Sequence, residues 1–176
     1  PGYAFDQTPV QEIIMRLALA LAAGTLAATT FGISAAQAQS APPASAPYYI
    51  VDAGDSALAI ASGGALRKSG NIASMTVVMG AHPDQVAESG IARLDMAYEF
   101  NCANSTYRTP GAAAYDVDGG FIGAIDDDEP WQPVAPDSNN ATFKAIACDG
   151  AIPEDSEVGD NLTDIIAVYR EWILEQ

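Results

Sequence analysis

The sequence predicts an α+β domain, built from a mostly antiparallel β-sheet with a short helix and a C-terminal helix. Three observations predict this class. The run from residue 91 to residue 102 alternates apolar and polar side chains, which is typical of a half-buried antiparallel strand. Other apolar or β-branched runs are separated by turns that contain glycine and aspartate. Two later segments instead repeat apolar residues at the i, i+3, i+4 spacing of a helix.

Residues 15–38 have the organisation of a bacterial secretory signal. Arg16 precedes an apolar stretch, and Ala36 and Ala38 form the A-x-A pattern of a cleavage site. Glycine, serine and threonine dilute the stretch, so it is less apolar than a transmembrane anchor requires. We therefore expect an exported protein, periplasmic or secreted, with no integral membrane segment after cleavage.

The rest of the chain divides into three parts. Residues 1–14 precede the signal and are not expected to belong to the fold. Residues 39–47 are small and proline-rich, which is typical of a flexible tether. Residues 48–176 have the length of a single domain, and ordered structure is expected to begin at Tyr48.

The expected mature chain is strongly acidic. Beyond residue 38 it holds six Lys and Arg side chains against 21 Asp and Glu side chains, a net charge of −15. Such a charge repels phosphate backbones and anionic membrane surfaces, which argues against nucleic acid and lipid as partners. It suits a basic ligand, a cation or simple solubility.

Short strands are predicted through the first part of the domain. Tyr48–Asp52 and Ala57–Ser62 flank a turn, and Ser74–Met79 is β-branched and apolar. The clearest strand is Ile91–Cys102, whose apolar face is Ala92, Leu94, Met96, Tyr98, Phe100 and Cys102. Its polar face is Arg93, Asp95, Glu99 and Asn101.

Further strands and a hairpin follow. Ser105–Thr109 is the next predicted strand. Ala113–Val117 and Phe121–Asp126 then bracket Asp118-Gly119-Gly120, a hairpin turn in which glycine supplies the positive φ. The proline-flanked segment 131–134 is predicted to be an extended edge or return segment.

Two helices complete the prediction. Asp137 or Ser138 can cap a helix over Asn139–Cys148, which Gly150 ends. The last helix is predicted from about Asn161 to about Glu175. Its apolar residues, expected in the core, are Leu162, Ile165, Ile166, Tyr169, Trp172 and Ile173. The alternative for the Trp172 face is docking of a partner.

Cys102 and Cys148 are the only cysteines. In an exported protein they are expected to form a disulfide, which would tether the short helix to the strand. The alternative is two separate thiols.

Five short segments occur in a distinctive order along the chain. They are YYIVD, YEFNCANSTYRT with Cys102 and Arg108, AYDVDGG, WQPVAPDS with Trp131, and a short helix that closes at Cys148. In this order, from Tyr48 to Cys148, the chain resembles the surface-adhesin protein E family of small exported bacterial domains.

The resemblance implies a mostly antiparallel sheet with one packed helix, held by a Cys102–Cys148 disulfide. It also implies binding of a host or envelope protein rather than catalysis. The chain departs from the lipid-anchored adhesins of the family, because it has no cysteine for a lipid anchor, and it carries an additional segment, 149–176. The leading hypothesis is an exported, non-catalytic binding or envelope-associated module whose ligand is unidentified. An unrecognised hydrolase is the weakest alternative.

Acidic residues at the two ends of the predicted hairpin suggest another hypothesis, a Ca²⁺-binding structural protein. Calcium takes six to eight oxygen ligands, which converging carboxylates can supply. Asp116 and Asp118 lie at the turn. The candidate ligands at the far end are Asp126, Asp127, Asp128 and Glu129. The alternative is a hairpin turn followed by a solvated acidic loop.

Arg108 and Trp131 are the candidate binding residues, because they lie in the segments that carry the resemblance. The alternative for Arg108 is a structural ion pair, or stacking on Tyr107 or Trp131. His82 is the only histidine, in a predicted loop. A lone histidine without clustered cysteines does not support a zinc or haem site, and we expect no cofactor and no catalytic residue.

Overall fold

The computed structural model describes residues 43–175, except Ser56, Asp128 and Asp155. The predicted signal (15–38), the segment before it and the start of the predicted tether lie outside the described residues. The described elements are β1 (Tyr48–Ala53), β2 (Ala57–Ser69), β3 (Ile72–Ala81), α1 (Pro83–Ser89), β4 (Arg93–Asn101), β5 (Thr106–Tyr115), β6 (Phe121–Asp126), β7 (Gln132–Pro133), α2 (Asn139–Asp149) and α3 (Leu162–Leu174).

The seven strands form one antiparallel sheet, as the sequence predicts. Strands β1 to β6 lie side by side in chain order. Strand β7 pairs with the first residues of β5, through Thr106 with Pro133 and Tyr107 with Gln132. Strand β6 pairs with the last part of β5, from Gly111 to Tyr115. The outer edge of β5 is therefore shared by two strands that one loop connects.

The larger core lies between the sheet and α2, and we call this side the α2 face. Tyr98 and Phe100 of β4 project from it, and the ring of Phe143 in α2 lies 5.8 Å from that of Tyr98. Ile146 and Ala147 of α2 are buried on the same side. Ser138 caps the helix by accepting a hydrogen bond from Ala141 N, and Gly150 ends it in a left-handed conformation.

A disulfide between Cys102 and Cys148 fixes α2 to the end of β4, and the Cα atoms lie 5.7 Å apart. This confirms the predicted disulfide-tethered helix. The bond closes a loop over a sequence separation of 46 residues, so it strongly restricts the unfolded chain.

The opposite side, the α3 face, holds a second core under α3. Its buried side chains are Tyr48, Leu58, Ile60, Val78, Leu162, Ile166 and Tyr169. Gly80 allows the helix to approach, because a Cβ there would lie 3.3 Å from Leu58 Cβ and 3.5 Å from Ile166 Cγ2. Tyr169 Oη donates a hydrogen bond to the Gly54 carbonyl at 2.8 Å. Burial raises the pKa of Tyr169 to about 12, so the hydroxyl keeps its proton into the alkaline range.

This second layer changes the expected exposure of β4. The alternating pattern predicts a half-buried strand with Asp95 on its polar face, yet Asp95 is only 3% exposed. The cover on this side includes Tyr48 of β1 together with Leu162 and Ile166 of α3. In α3 itself, Trp172 was predicted to lie in the core but is 42% exposed. The helix buries only one side against the sheet.

The chain contacts the sheet before the predicted start at Tyr48. Ser62 Oγ donates a hydrogen bond to the Ser45 carbonyl and accepts one from Ser45 N, both at 2.7 Å. Gly64 N donates to the same carbonyl at 3.1 Å. A Cβ on Gly64 would collide with this segment. The glycines thus let β2 continue to Ser69, well beyond its predicted end at Ser62.

Two other elements differ from the prediction. The predicted strands Ser105–Thr109 and Ala113–Val117 are one strand, β5, which continues across Pro110 because Asp127 N donates to the Pro110 carbonyl at 2.9 Å. Helix α1 was predicted to be a loop. It is a single short helix that begins at Pro83, and the His82 Nδ1 atom caps it by accepting a hydrogen bond from Asp84 N.

We expect the double variant Cys102→Ser/Cys148→Ser to lose about 4 kcal/mol of unfolding free energy, because the unfolded chain regains the entropy of the open loop. Urea denaturation would measure this loss. The unchanged protein in excess reductant is the control and should match the double variant. A loss below about 1 kcal/mol would show that packing of α2, rather than the disulfide, stabilises this end of the sheet.

Candidate binding surface

One end of the α3 face carries exposed side chains, and we call it the outer strip. It lies on β5, on β6 and on the residue that precedes β7, next to the part of the sheet that α3 covers. Its residues are Arg108, Ala113, Tyr115, Phe121, Ala124 and Trp131. Ala113 and Ala124 lie opposite one another in the paired strands, and Ala124 is exposed. Phe121 is 64% exposed and Trp131 38% exposed.

Arg108 and Trp131 occupy one end of the outer strip together. Arg108 lies opposite Glu99 in the β4–β5 pairing and forms an ion pair with it, with an Nη2–Oε2 distance of 2.6 Å. Its guanidinium also lies 5.0 Å from the centroid of the Trp131 ring. The ion pair and the stacking that the sequence offered as alternatives are therefore both present. They hold the indole ring in place at the surface, and a binding role for the two residues stays a prediction.

Tyr115 and Phe121 form the other end of the outer strip. Their rings meet edge to face, 5.9 Å apart. On β4, Arg93 lies opposite Tyr115 with its Cζ 3.9 Å from the centre of the tyrosine ring. Tyr115 is held between a cation and an aromatic ring, and Phe121 is left with most of its surface in solvent.

Nothing in the sequence singles out the two aromatic residues at this end as binding residues. Strict alternation would place Phe121 and Ile125 on the same side of β6. The pairing shifts between Ala114 and Tyr115, so Ile125 packs against the core of the α2 face while Phe121 contacts Tyr115. A strand irregularity of this kind leaves no signal in a six-residue segment.

The predicted acidic ligands lie in two separate places. At the hairpin turn, Asp116 Oδ1 accepts hydrogen bonds from Asp118 N at 3.0 Å and from Gly120 N at 2.7 Å. At the other end of β6, Glu129 Oε2 accepts one from Thr109 Oγ1 at 2.7 Å. Asp128 is outside the described residues. Within the described part of the chain no three His, Cys, Asp or Glu side chains are grouped to hold a metal. The Ca²⁺ hypothesis stays untested.

A buried ion pair lies between the outer strip and α3. Asp95 Oδ1 is 2.9 Å from Arg93 Nε, and the Arg93 side chain is itself mostly buried. Burial raises the pKa of Asp95, and Arg93 only partly opposes this shift. Burial, with a smaller contribution from Asp95, also raises the pKa of Tyr48. Because Asp95 is buried, the ion pair belongs to the packed interior of the α3 face.

The other titratable residue singled out in the sequence is also structural. His82 caps α1 through Asp84 N, at 3.2 Å from its Nδ1, and the Asp84 carboxylate lies 3.6 Å from the same atom. Among the described residues, no helix is long and apolar enough to cross a membrane.

The family model for surface-adhesin protein E matches residues 51–149, more than half of the chain. The chain belongs to the surface-adhesin protein E family. The matched region spans all strands from β2 to β7 and reaches the end of α2, so it includes the disulfide and the outer strip. Helix α3 lies beyond it. No curated protein and no solved structure matches the chain significantly.

We expect Asp95→Asn to change how stability depends on pH. The pKa of Asp95 in the folded protein is above the ordinary value of 3.8, so the folded state binds the proton more tightly than the unfolded chain. This contribution to stability is complete below pH 3.8 and is lost as the pH rises through the raised pKa. Asparagine does not titrate. The stability of the variant, relative to that of the unchanged protein, should therefore rise as the pH increases from 4 to 7.

Urea denaturation at several pH values would test this difference. Asp84→Asn is the matched control, because it makes the same substitution at an aspartate whose side chain is 89% exposed. Its stability should parallel that of the unchanged protein across the same range. If the stability of Asp95→Asn also paralleled that of the unchanged protein, burial of Asp95 would not be the cause of the loss of stability at higher pH.

Proposed function

We propose that this family member is an exported, non-catalytic binding module that holds a protein of the host or of the cell envelope against its outer strip. The family assignment supports a surface adhesin-like role. The observation that supports this particular surface is the exposure of Phe121 and Trp131 at the end of a sheet that is otherwise packed on the same side by α3.

The shape of the outer strip suits a protein surface. Arg108 and Tyr115 are seven residues apart on β5, so the two aromatic ends are separated by about 23 Å at about 3.3 Å per residue. Between them lie the methyl groups of Ala113 and Ala124 and the exposed carboxylate of Asp126, which is opposite Gly111 in the strand pairing. An extended area with an aromatic anchor at each end resembles a protein interface, whereas small ligands bind in concave pockets.

The two aromatic anchors are also held in place before binding. Trp131 lies over Arg108, which the Glu99 ion pair orients. Phe121 leans on Tyr115, which Arg93 holds from β4. Side chains that are already ordered lose little conformational entropy on association. Tryptophan and arginine are also among the residue types that dominate interface energies.

We expect Phe121→Ser/Trp131→Ser to weaken binding at least tenfold to any immobilised extracellular-matrix protein or extracted envelope protein that binds the unchanged chain. Truncation of a central aromatic anchor costs about 2 kcal/mol or more at an interface. Biolayer interferometry would measure the dissociation constants, with thermal melts to confirm that both proteins are folded.

Val168→Ser/Leu174→Ser is the matched control. Both residues are exposed apolar side chains on α3, at 65% and 72%, so the variant removes similar surface from another place. It should bind as the unchanged protein does. Equal losses in the two variants would contradict a role for the outer strip, and binding to none of these proteins would contradict the adhesin-like function.

A further inference from the structure

The two edges of the sheet are treated differently by the chain. Beyond β1, the segment around Glu157 adds hydrogen bonds along the strand, from Ile50 N to the Ser156 carbonyl at 2.9 Å and from Val158 N to the Tyr48 carbonyl at 3.0 Å. Beyond β6, the described residues provide no further strand: its pairing is with β5 alone. Within the described residues, the chain therefore covers the β1 edge and leaves the β6 edge uncovered.

The register identifies which backbone groups the β6 edge presents. Asp127 N donates to the Pro110 carbonyl, and in an antiparallel ladder inward and outward amides alternate. Ile125 therefore turns its amide toward β5, and Ala124 and Asp126 turn theirs away from the sheet. These outward N–H and C=O groups can pair with one additional strand.

The β6 edge has only part of the usual protection of an edge strand. Natural edges are protected by lysine and other charged side chains, by proline, by bulges or by a covering segment. Strand β6 has one charged residue, Asp126, and one shift in its pairing, near its start. Phe121–Asp126 contains neither lysine nor proline. Its exposed residues are Phe121, Ala124 and Asp126. All three lie on the side of the outer strip, so an added strand would contact the same surface with its side chains.

The charge around the β6 edge selects the partner. Residues 116–131 hold six acidic side chains and no basic one, and the acidic residues lie at both ends of β6. A second copy of this chain would bring the same charges together, in a protein whose net charge is −16. A segment rich in lysine or arginine would instead pair its backbone with β6 and its charges with these carboxylates.

We propose that β6 binds an extended, basic segment of a partner protein as an additional strand of the sheet. This inference rests on the proposed function, and names the chemistry of the partner and its mode of binding. In strand addition, backbone hydrogen bonds supply affinity and alternate side chains supply specificity.

A peptide of alternating lysine and valine is the probe, and the same peptide with glutamate for lysine is its charge control. We expect the lysine peptide to bind at least tenfold more tightly in fluorescence anisotropy, and to shift the amide resonances of β6 in nuclear magnetic resonance spectra. A peptide N-methylated at alternate residues cannot donate along one edge, and should bind at least tenfold more weakly.

Two variants test the site on the protein. Ala124→Pro removes an outward amide that has no role in the β5 pairing, and should reduce peptide affinity at least tenfold. Asp126→Asn/Asp127→Asn should reduce it severalfold and weaken its salt dependence. Asp84→Asn/Glu88→Gln, on α1, removes two charges elsewhere and should change it less than twofold. Should Ala124→Pro fail to fold, the N-methylated peptide tests the same hydrogen bonds.

Several results would overturn strand addition. These are equal binding of the glutamate peptide, resonance shifts on α3 instead of β6, unchanged affinity after N-methylation, or a dimer that occupies β6. Failure here is distinguishable from failure of the proposed function. If Phe121→Ser/Trp131→Ser abolishes matrix or envelope binding while the lysine peptide does not bind, the outer strip binds its partner without an added strand.

Discussion

The structure depends on how much of one sheet two helices can cover. The α2 face is closed by a helix that a disulfide holds to the end of β4. The α3 face is closed only over β1 to β3 and the start of β4, where Leu58, Ile60 and Val78 provide apolar contacts. Toward β5 and β6 the same face changes to alanine, arginine, aspartate and aromatic residues. An exposed surface follows from this limit, since an antiparallel sheet can leave part of one face in water.

Polar groups mark the boundary between the covered and the exposed parts. Arg93 contacts Asp95 beneath the cover and Tyr115 at the surface. A buried ion pair contributes little net stability, because desolvation of the two charges offsets their attraction. Here it orders a side chain that then supports Phe121 through Tyr115. The packing of the interior and the geometry of the outer strip are therefore coupled at one residue.

The sequence predicts most of the elements, and the prediction fails where one segment packs against a distant one. Period-two alternation and helix caps identify β1, β3, β4, α2 and α3. Glycines in β2 look like a strand end, yet they accommodate the segment near Ser45. In the candidate site, the resemblance identifies Arg108 and Trp131, whereas Phe121 depends on a shift in strand pairing. Such features belong to contacts between distant segments, and no local pattern records them.

The acidic residues around β6 have two consequences that follow from one sign of charge. Like charges oppose pairing with another copy of the chain, which protects an otherwise open edge from aggregation. Opposite charges on a partner gain from the same field, and their approach is accelerated. The same acidic residues therefore both oppose pairing with another copy of the chain and favour a basic partner. This accounts for an open edge in a chain that also covers its other edge.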